Sequence, residues 1–166
     1  MTNVFQAPQK QEALKAAGVV NEEVLVDFNK VIQESLDGER VRLNRLNPII
    51  RCDSLPHIQA QEKDMKQLSD HLIHLILIHP PQKSKLFIYI KCNRFNEVLP
   101  VETSGWQHSY EICFHTNGCR EASWQAAYEK EIADCAAICT RYAGTFTAAY
   151  DHNDCLFKLT LPGKLF

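Results

Sequence analysis

The chain has 166 residues, of which 45% are hydrophobic and 23% are charged, proportions that fit one globular domain and exclude a disordered chain or a coiled coil. Its formal net charge is −2 and it contains no block of basic residues, which argues against binding to nucleic acid or to an anionic membrane surface. The longest apolar run, residues 72–78, is too short to cross a bilayer, and the N-terminus lacks the pattern of a signal peptide, so we expect a cytoplasmic protein.

Residues 1–22 are polar and alanine-rich and predict an N-terminal arm or short helix, ahead of a single domain over residues 23–166. Asn21 is a suitable N-cap for a first helix over "EEVLVDFNKVIQESL", in which apolar residues recur at helical spacing, and Gly38 ends that helix. The following "VRLNRLNPIIRC" predicts extended chain, and "DSLPHIQA" predicts a turn that leads into a short strand.

Residues 62–79 predict a second helix, which ends at Pro80 because proline cannot continue it. "KLFIYIKC" and "WQHSYEICFH" predict two antiparallel strands joined by a loop. "SWQAAYEKEIADCAAICTRY" predicts a third helix, with Ser123 as its N-cap and Gly144 in the C-terminal capping position. A hairpin follows, with its turn at residues 151–154. This order predicts an α+β two-layer sandwich, in which three helices cover one face of a mixed, mostly antiparallel sheet.

The seven cysteines include no C-x-x-C pair, and an odd number argues against the disulfide framework of a small secreted domain. Cys135 and Cys139 are spaced to lie on one face of the third helix. We interpret the cysteines as reduced side chains that are buried as small hydrophobic groups.

Several of these segments, in this order, resemble the ATP-binding catalytic domain of sensor histidine kinases. "VDFNKVIQESL" is similar to the first helix of that domain, and "LPHIQAQEKDMKQLSDHLIHLILIHPP" is similar to its strand and asparagine-bearing helix. "IADCAAICTRYAGTF" and "CLFKLTLP" are similar to its last helix and closing strand. The resemblance covers residues 24–162 and implies the Bergerat-type (GHKL) ATPase fold shared with gyrase and MutL, and a context in bacterial two-component signal transduction.

The resemblance implies a helical asparagine that holds Mg²⁺ against the phosphates, and here that position is Leu75, with His71 at the earlier asparagine of the motif. Magnesium requires hard oxygen ligands, which an apolar side chain does not supply. The D-x-G-x-G motif of the family, whose aspartate contacts adenine, falls on "HTNGC". His115 then stands at the aspartate, and Asn117 and Cys119 stand at the glycines, so the freedom for close backbone approach is lost.

The glycine-rich lid of the family is nearly absent, and Glu129 and Glu131 stand where two of its glycines are expected. Carboxylates repel a polyphosphate, whereas the N–H groups of a glycine loop attract it. We therefore expect no ATP, Mg²⁺ or other cofactor and no catalysis, and a pseudokinase domain that acts as a regulatory or protein-interaction module. The alternative is a divergent ATP-binding domain of a sensor histidine kinase or histidine phosphotransferase, with His115 and Asn117 contacting the purine.

His71 and His74 lie three residues apart on the second helix and raise two further alternatives. A zinc site would need more ligands, for which His79 and Asp64 or Asp70 are the nearest candidates. A phosphoacceptor histidine would need the paired helices of a phosphotransferase, and too few residues precede the domain to supply them. We favour the interpretation that these histidines flank the packing face of the helix.

Four aromatic residues fall near the expected position of the lid: Phe95, Trp106, Trp124 and Tyr128. They predict either a plug that fills the vacated nucleotide pocket or a patch that binds a protein, because aromatic residues anchor interfaces. The partner that the resemblance implies is a kinase, a response regulator or a second copy of the chain.

Overall fold

The computed structural model describes residues 22–98, 108–118, 124–151 and 154–164. Its strands are β1 (Val24–Asp27), β2 (Ile49–Cys52), β3 (His57–Ala60), β4 (Phe87–Val98), β5 (His108–Thr116), β6 (Thr145–Asp151) and β7 (Asp154–Lys164). Its helices are α1 (Phe28–Gly38), α2 (Arg40–Leu46), α3 (Glu62–Ile78), α4 (Trp124–Ala127) and α5 (Glu129–Arg141). The strands form one sheet in the order β1-β3-β7-β5-β4-β2, and β6 also pairs with β7.

The sheet has a buried face, which packs against the helices, and a partly exposed face, which is called the open face below. On β5 the side chains of Tyr110, Ile112, Phe114 and Thr116 are buried, and those between them are partly exposed. The buried residues of α3 and of the sheet belong to one core. Among the described strands only β2 and β4 pair in parallel. The predicted α+β two-layer sandwich is therefore confirmed, with α2 as an additional helix and the third predicted helix divided into α4 and α5.

The first helix begins later than predicted, because Val24–Asp27 is a strand that pairs antiparallel with β3. Asp27 is the N-cap of α1, and its Oδ1 accepts hydrogen bonds from the backbone N–H groups of Asn29 (3.0 Å) and Lys30 (3.4 Å). Such a cap stabilises a helix by about 1 kcal/mol. The prediction of a helix that starts after Asn21 is therefore wrong. Val24 fits the helical spacing of α1, but its β-branched side chain also favours a strand.

The segment predicted as extended chain, "VRLNRLNPIIRC", is divided between α2 and β2. Arginine and leucine are good helix formers, and they dominate α2. Asn47 ends this helix in the left-handed region at a φ of 45°, which asparagine tolerates better than most residues. Only the last four residues of the segment, Ile49–Cys52, form the predicted strand.

The third predicted helix is divided into α4 and α5, and its predicted cap Ser123 lies outside the described residues. After α5 the left-handed residue is Ala143, with a φ of 57°, rather than Gly144. Gly144 donates its N–H to the carbonyl of Cys139 at 2.8 Å, which completes the turn. A Cβ on Gly144 would lie 2.0 Å from the carbonyl oxygen of Thr160, so this glycine is required for close approach to β7. The predicted capping role of Gly144 is corrected accordingly.

The hairpin of β6 and β7 confirms the predicted turn, because Asp151 pairs with Asp154 across it. None of the helices in the described ranges is long and apolar enough to cross a membrane.

A buried carboxylate joins the first turn of α3 to the end of α5. Asp64 is 2% exposed, and its Oδ2 accepts hydrogen bonds from the hydroxyl of Tyr142 at 2.5 Å and from the guanidinium of Arg141. Burial alone raises the pKa of Asp64, but the hydrogen bonds from Tyr142 and Arg141 outweigh it and lower the pKa below its usual value. Asp64 is therefore charged at neutral pH, and it fixes α3 against α5.

Candidate functional site

The helix α3 carries Leu75 on its core side and His71 and His74 on its outer side. Leu75 is 1% exposed and belongs to the core. His71 is partly buried, with its Nε2 3.4 Å from Nε2 of Gln67 and 4.0 Å from Oδ2 of Asp134 on α5. His74 is exposed. The predicted magnesium position is thus an apolar core position, and the two histidines lie on the outer side of the helix.

Within the described parts of the chain, no group of three or more His, Cys, Asp or Glu side chains is arranged to hold a metal ion. His79, the third histidine considered for zinc, contacts Tyr128 instead, with its Nε2 3.2 Å from the phenol oxygen. Asp70 forms an ion pair with Lys66, and Asp64 is held by Arg141 and Tyr142.

The end of β5 places His115 on the open face of the sheet. Its Nε2 lies 3.0 Å from Oδ2 of Asp154, and its ring meets the edge of the Phe87 ring at 5.3 Å between centroids. Because side chains alternate along a strand, the residue that faces the helices here is Thr116, which is fully buried. The alignment of His115 with the adenine-binding aspartate of the histidine kinases stays a prediction, and the side chain of His115 faces away from the helices.

Asn117 is 6% exposed, and its side chain holds the beginning of β4. Its Oδ1 accepts a hydrogen bond from the backbone N–H of Phe87 at 2.9 Å, and its Nδ2 donates to the carbonyl of Lys85 at 2.9 Å and to Ser84 at 3.3 Å. Both ends of the amide are therefore used within the protein. This role is structural, and the sequence offered no signal for it.

Gly118 brings the end of β5 against the end of α3. A Cβ at this position would lie 2.7 Å from the carbonyl oxygen of Ile76 and 3.4 Å from that of His79, so only glycine fits without displacement. The N–H of Gly118 donates to Oγ1 of Thr116 at 3.1 Å. Cys119, the other predicted glycine position, lies outside the described residues.

The helix α5 packs against α3 with apolar side chains, and Cys135, Ile138 and Cys139 are buried there. Burial, with a smaller effect of neighbouring charges at Cys135, raises the pKa of both thiols to about 12. The interpretation of the cysteines as buried, reduced side chains is confirmed for Cys135 and Cys139 and is wrong for Cys52, which is exposed. Glu129 is exposed and Glu131 is partly exposed, both in the first turn of α5.

Of the four aromatic residues of the predicted patch, the two whose side chains the structure describes, Phe95 and Tyr128, lie far apart. Tyr128 lies at the Gly118 end of the sheet, where it contacts His79. Phe95 is 39% exposed and pairs with Ser109. Along β4 it lies roughly 23 Å from Ile88, which pairs with Thr116 near the Gly118 end of β5. Trp106 and the side chain of Trp124 lie outside the described residues. Phe95 therefore belongs to a different part of the surface from Tyr128.

Two grooves lie on the outer side of the helices. One, of about 500 Å³, runs along α3 and is lined by Glu39, Lys63, Lys66, Gln67, Asp70, His71 and His74. The other, of about 310 Å³, lies at the junction of α1 and α2 and is lined by Gly38, Glu39, Val41, Arg42 and Arg45. Neither groove includes Leu75, Thr116 or Asn117.

No protein-family model and no curated protein sequence matches the chain. Among solved structures it is similar to the mycobacterial sensor histidine kinase MprB, with a TM-score of 0.66 and 13% identity over 87% of this chain and 99% of that one. It is also similar to the catalytic domain of histidine kinase ThkA, with a TM-score of 0.62 and 12% identity over 86% and 97% of the two chains.

A third similar structure is full-length ShkA in complex with AMPPNP, with a TM-score of 0.63 and 11% identity over 98% of this chain and 41% of that one. At such low identities the likeness is one of fold, and MprB and ThkA are both histidine kinases. The chain therefore has the fold of the histidine kinase catalytic (ATPase) domain.

Proposed function

We propose that this chain is a histidine-kinase-like ATPase domain that binds neither ATP nor Mg²⁺ and acts as a non-catalytic regulatory or protein-interaction module in signal transduction. The observation that carries the proposal is the side chain of Leu75, which is buried in the apolar core at the position aligned with the magnesium-holding asparagine. A magnesium site at this point would require an oxygen ligand and several waters, and the hydrophobic neighbours on α3 exclude both.

The end of β5 supports the same proposal. The helix-facing position is occupied by Thr116, which is neutral and already accepts a hydrogen bond from Gly118. The amide of Asn117 is engaged with residues 84–87. An adenine amino group placed here would meet no carboxylate from these two residues, and a contact with Asn117 would break a buried hydrogen bond, which costs about 1–3 kcal/mol.

The charge at the start of α5 gives further support. Glu129 and Glu131 place two carboxylates in its first turn, where they offset the positive end of the helix dipole. A polyphosphate near this turn would therefore meet negative charge, in place of the free N–H groups that normally attract it.

The signalling context follows by analogy with the structural neighbours, which are sensor or catalytic histidine kinases. A domain with this fold and no nucleotide would act through binding, and its partner would be a kinase, a response regulator or a second copy of the chain. We place it in the bacterial cytoplasm on the same ground.

Isothermal titration of the purified chain with AMPPNP and Mg²⁺ tests the loss of nucleotide binding, with ShkA as the positive control. We expect no heat beyond dilution, which corresponds to a dissociation constant above about 1 mM. Binding in the micromolar range would contradict the proposal and favour the divergent ATP-binding domain. In that event His115→Ala distinguishes the sites, because the side chain of His115 lies on the open face and its removal would leave binding between the layers unchanged.

A further inference from the structure

The strand β2 is an outer strand of the sheet and offers one side of its backbone for pairing. It pairs with β4, and no other described strand contacts it. The N–H groups of Ile49 and Asp53 donate to the carbonyls of Leu86 and Ile90, each at 2.9 Å. Because the backbone groups of alternate residues point to the same side of a strand, those of Ile50 and Cys52 point outward.

The side chains of β2 are exposed on both faces. Ile49, which pairs with Phe87, is 41% exposed, and Ile50, which pairs with Ile88, is 38% exposed. Outer strands are usually protected by charged residues, proline or a covering element, because an unprotected one is a template for another strand. Within Ile49–Cys52 the one charged residue is Arg51.

Arg51 forms no ion pair with a carboxylate in the described part of the chain. Its guanidinium carbon lies 5.6 Å from the centroid of the Tyr89 ring, on the open face. The nearest acidic residue along the chain, Asp53, accepts a hydrogen bond from the backbone N–H of Cys92 at 3.0 Å, which draws its side chain toward β4. A cation is thus available at the centre of this outer strand.

We propose that β2 binds an extended segment of a partner protein as an additional strand, in which an acidic side chain lies opposite Arg51 between two apolar side chains. The outward N–H and C=O groups of Ile50 and Cys52 would supply the main-chain hydrogen bonds, and alternation of side chains would supply the specificity. The proposal identifies a docking surface for the interaction role proposed above and does not depend on the loss of ATP binding.

A second copy of the chain fits this edge less well. Antiparallel pairing of β2 with itself about Arg51 would place two guanidinium groups opposite each other, which is destabilising. Sliding the pair in one direction would bring in Pro48, which has no N–H to donate. Sliding it in the other direction would need chain beyond Cys52, where the strand ends.

The test is an NMR titration of the ¹⁵N-labelled full chain with two capped peptides that differ only in the central residue, Thr-Val-Glu-Val-Thr and Thr-Val-Lys-Val-Thr. We expect the glutamate peptide to bind about threefold to tenfold more tightly at low salt, because opposite charges replace like charges across the pair. The largest shifts should fall on the amides of Ile50 and Cys52. Equal affinity for the two peptides, or shifts that fall elsewhere, would overturn the proposal.

Ile50→Pro is the critical variant, because it removes one outward N–H and leaves the inward hydrogen bonds of β2 intact. Its matched control is Ile50→Thr, which keeps the N–H and a β-branched side chain. We expect loss of binding in the first and at most a few-fold change in the second. If Ile50→Pro does not fold, Arg51→Glu replaces it, with the expected result that the lysine peptide becomes the tighter ligand.

Sedimentation of the free chain tests whether a second copy of the chain, rather than a different protein, occupies the edge of β2. A concentration-dependent dimer that Arg51→Gln strengthens, by removing the opposed charges, or that Ile50→Pro abolishes would show that a second copy occupies the edge and would overturn the proposal of a different partner. The titration with AMPPNP tests nucleotide binding at a different site. If neither peptide binds to β2, the proposed loss of nucleotide binding is therefore unaffected.

Discussion

Replacing Tyr142 with phenylalanine removes one hydroxyl from the buried link between α3 and α5. That hydroxyl donates to Oδ2 of Asp64 at 2.5 Å and accepts from the backbone N–H of Gln61 at 3.1 Å. Because phenylalanine keeps the ring, no large cavity results at this buried position, where Tyr142 is only 6% exposed. The perturbation is thus confined to the two hydrogen bonds.

The hydrogen bond to the charged carboxylate sets the size of the effect. Hydrogen bonds to charged groups contribute about 1.5–3 kcal/mol, and we expect Tyr142→Phe to lower the free energy of unfolding by about 2–3 kcal/mol at pH 7. Arg141→Gln is the matched control. The Arg141 side chain is 54% exposed, so its ion pair with Asp64 is screened by solvent and should contribute less than about 1 kcal/mol.

The pH dependence follows from the lowered pKa of Asp64. A carboxyl group whose pKa is lower in the folded state stabilises the fold above its unfolded pKa, near 3.8, and this contribution is lost as the pH falls through the folded pKa. Tyr142→Phe removes a hydrogen bond that lowers the pKa, so the variant should lose less stability than the wild type below pH 4.

Urea unfolding followed by circular dichroism, at several pH values between 7 and 3, measures both effects. A cost below about 0.5 kcal/mol at pH 7 would show that the hydroxyl is replaced by water and that the link is not a buried one. A cost that stays constant as the pH falls would show that Asp64 is not the charged partner. Either result would refute the reasoning.

Ala143→Gly should stabilise the chain by about 0.5–1 kcal/mol, because Ala143 has a positive φ that glycine adopts without strain. Gly144→Ala should destabilise the chain by about 1–3 kcal/mol, because the added Cβ overlaps a carbonyl oxygen of β7. Thermal unfolding of both variants measures these effects. Equal shifts in their melting temperatures would contradict the different roles given to Ala143 and Gly144. Cys52, which is exposed, should react with a thiol reagent at pH 8 well before the buried Cys135 and Cys139, as measured by mass spectrometry of the modified peptides. Rapid modification of either buried cysteine would mean that α5 does not pack as described.

The sequence predicts the layered fold well where a segment has one strong pattern. The helix over residues 62–79 and the strand that includes Tyr110, Ile112 and Phe114 follow directly from their apolar spacing. Val24–Asp27 is different, because its pairing with β3 is a long-range interaction that the local pattern does not contain. The apolar spacing of α1 therefore led to a predicted helix that wrongly included Val24–Asp27.

The site was harder to predict, although one signal was present. The alternating apolar residues of β5 already indicated that Thr116 lies on the helix side of the sheet and His115 on the open face. No local pattern could reveal the bonds from Asn117 to residues 84–87, or the distance between Phe95 and Tyr128. These depend on how distant parts of the chain are brought together.

Polar contacts of unequal strength join α3 and α5 at the two ends of their packed interface. At one end Asp64 and Tyr142 form a buried, charge-assisted hydrogen bond, and at the other end Tyr128 and His79 form an exposed contact. Local opening begins where the contacts are weakest, so the pair should separate at Tyr128 first and turn about the Asp64 end as a hinge. The space between α5 and α3 would then open, briefly and from one side, without unfolding of either helix.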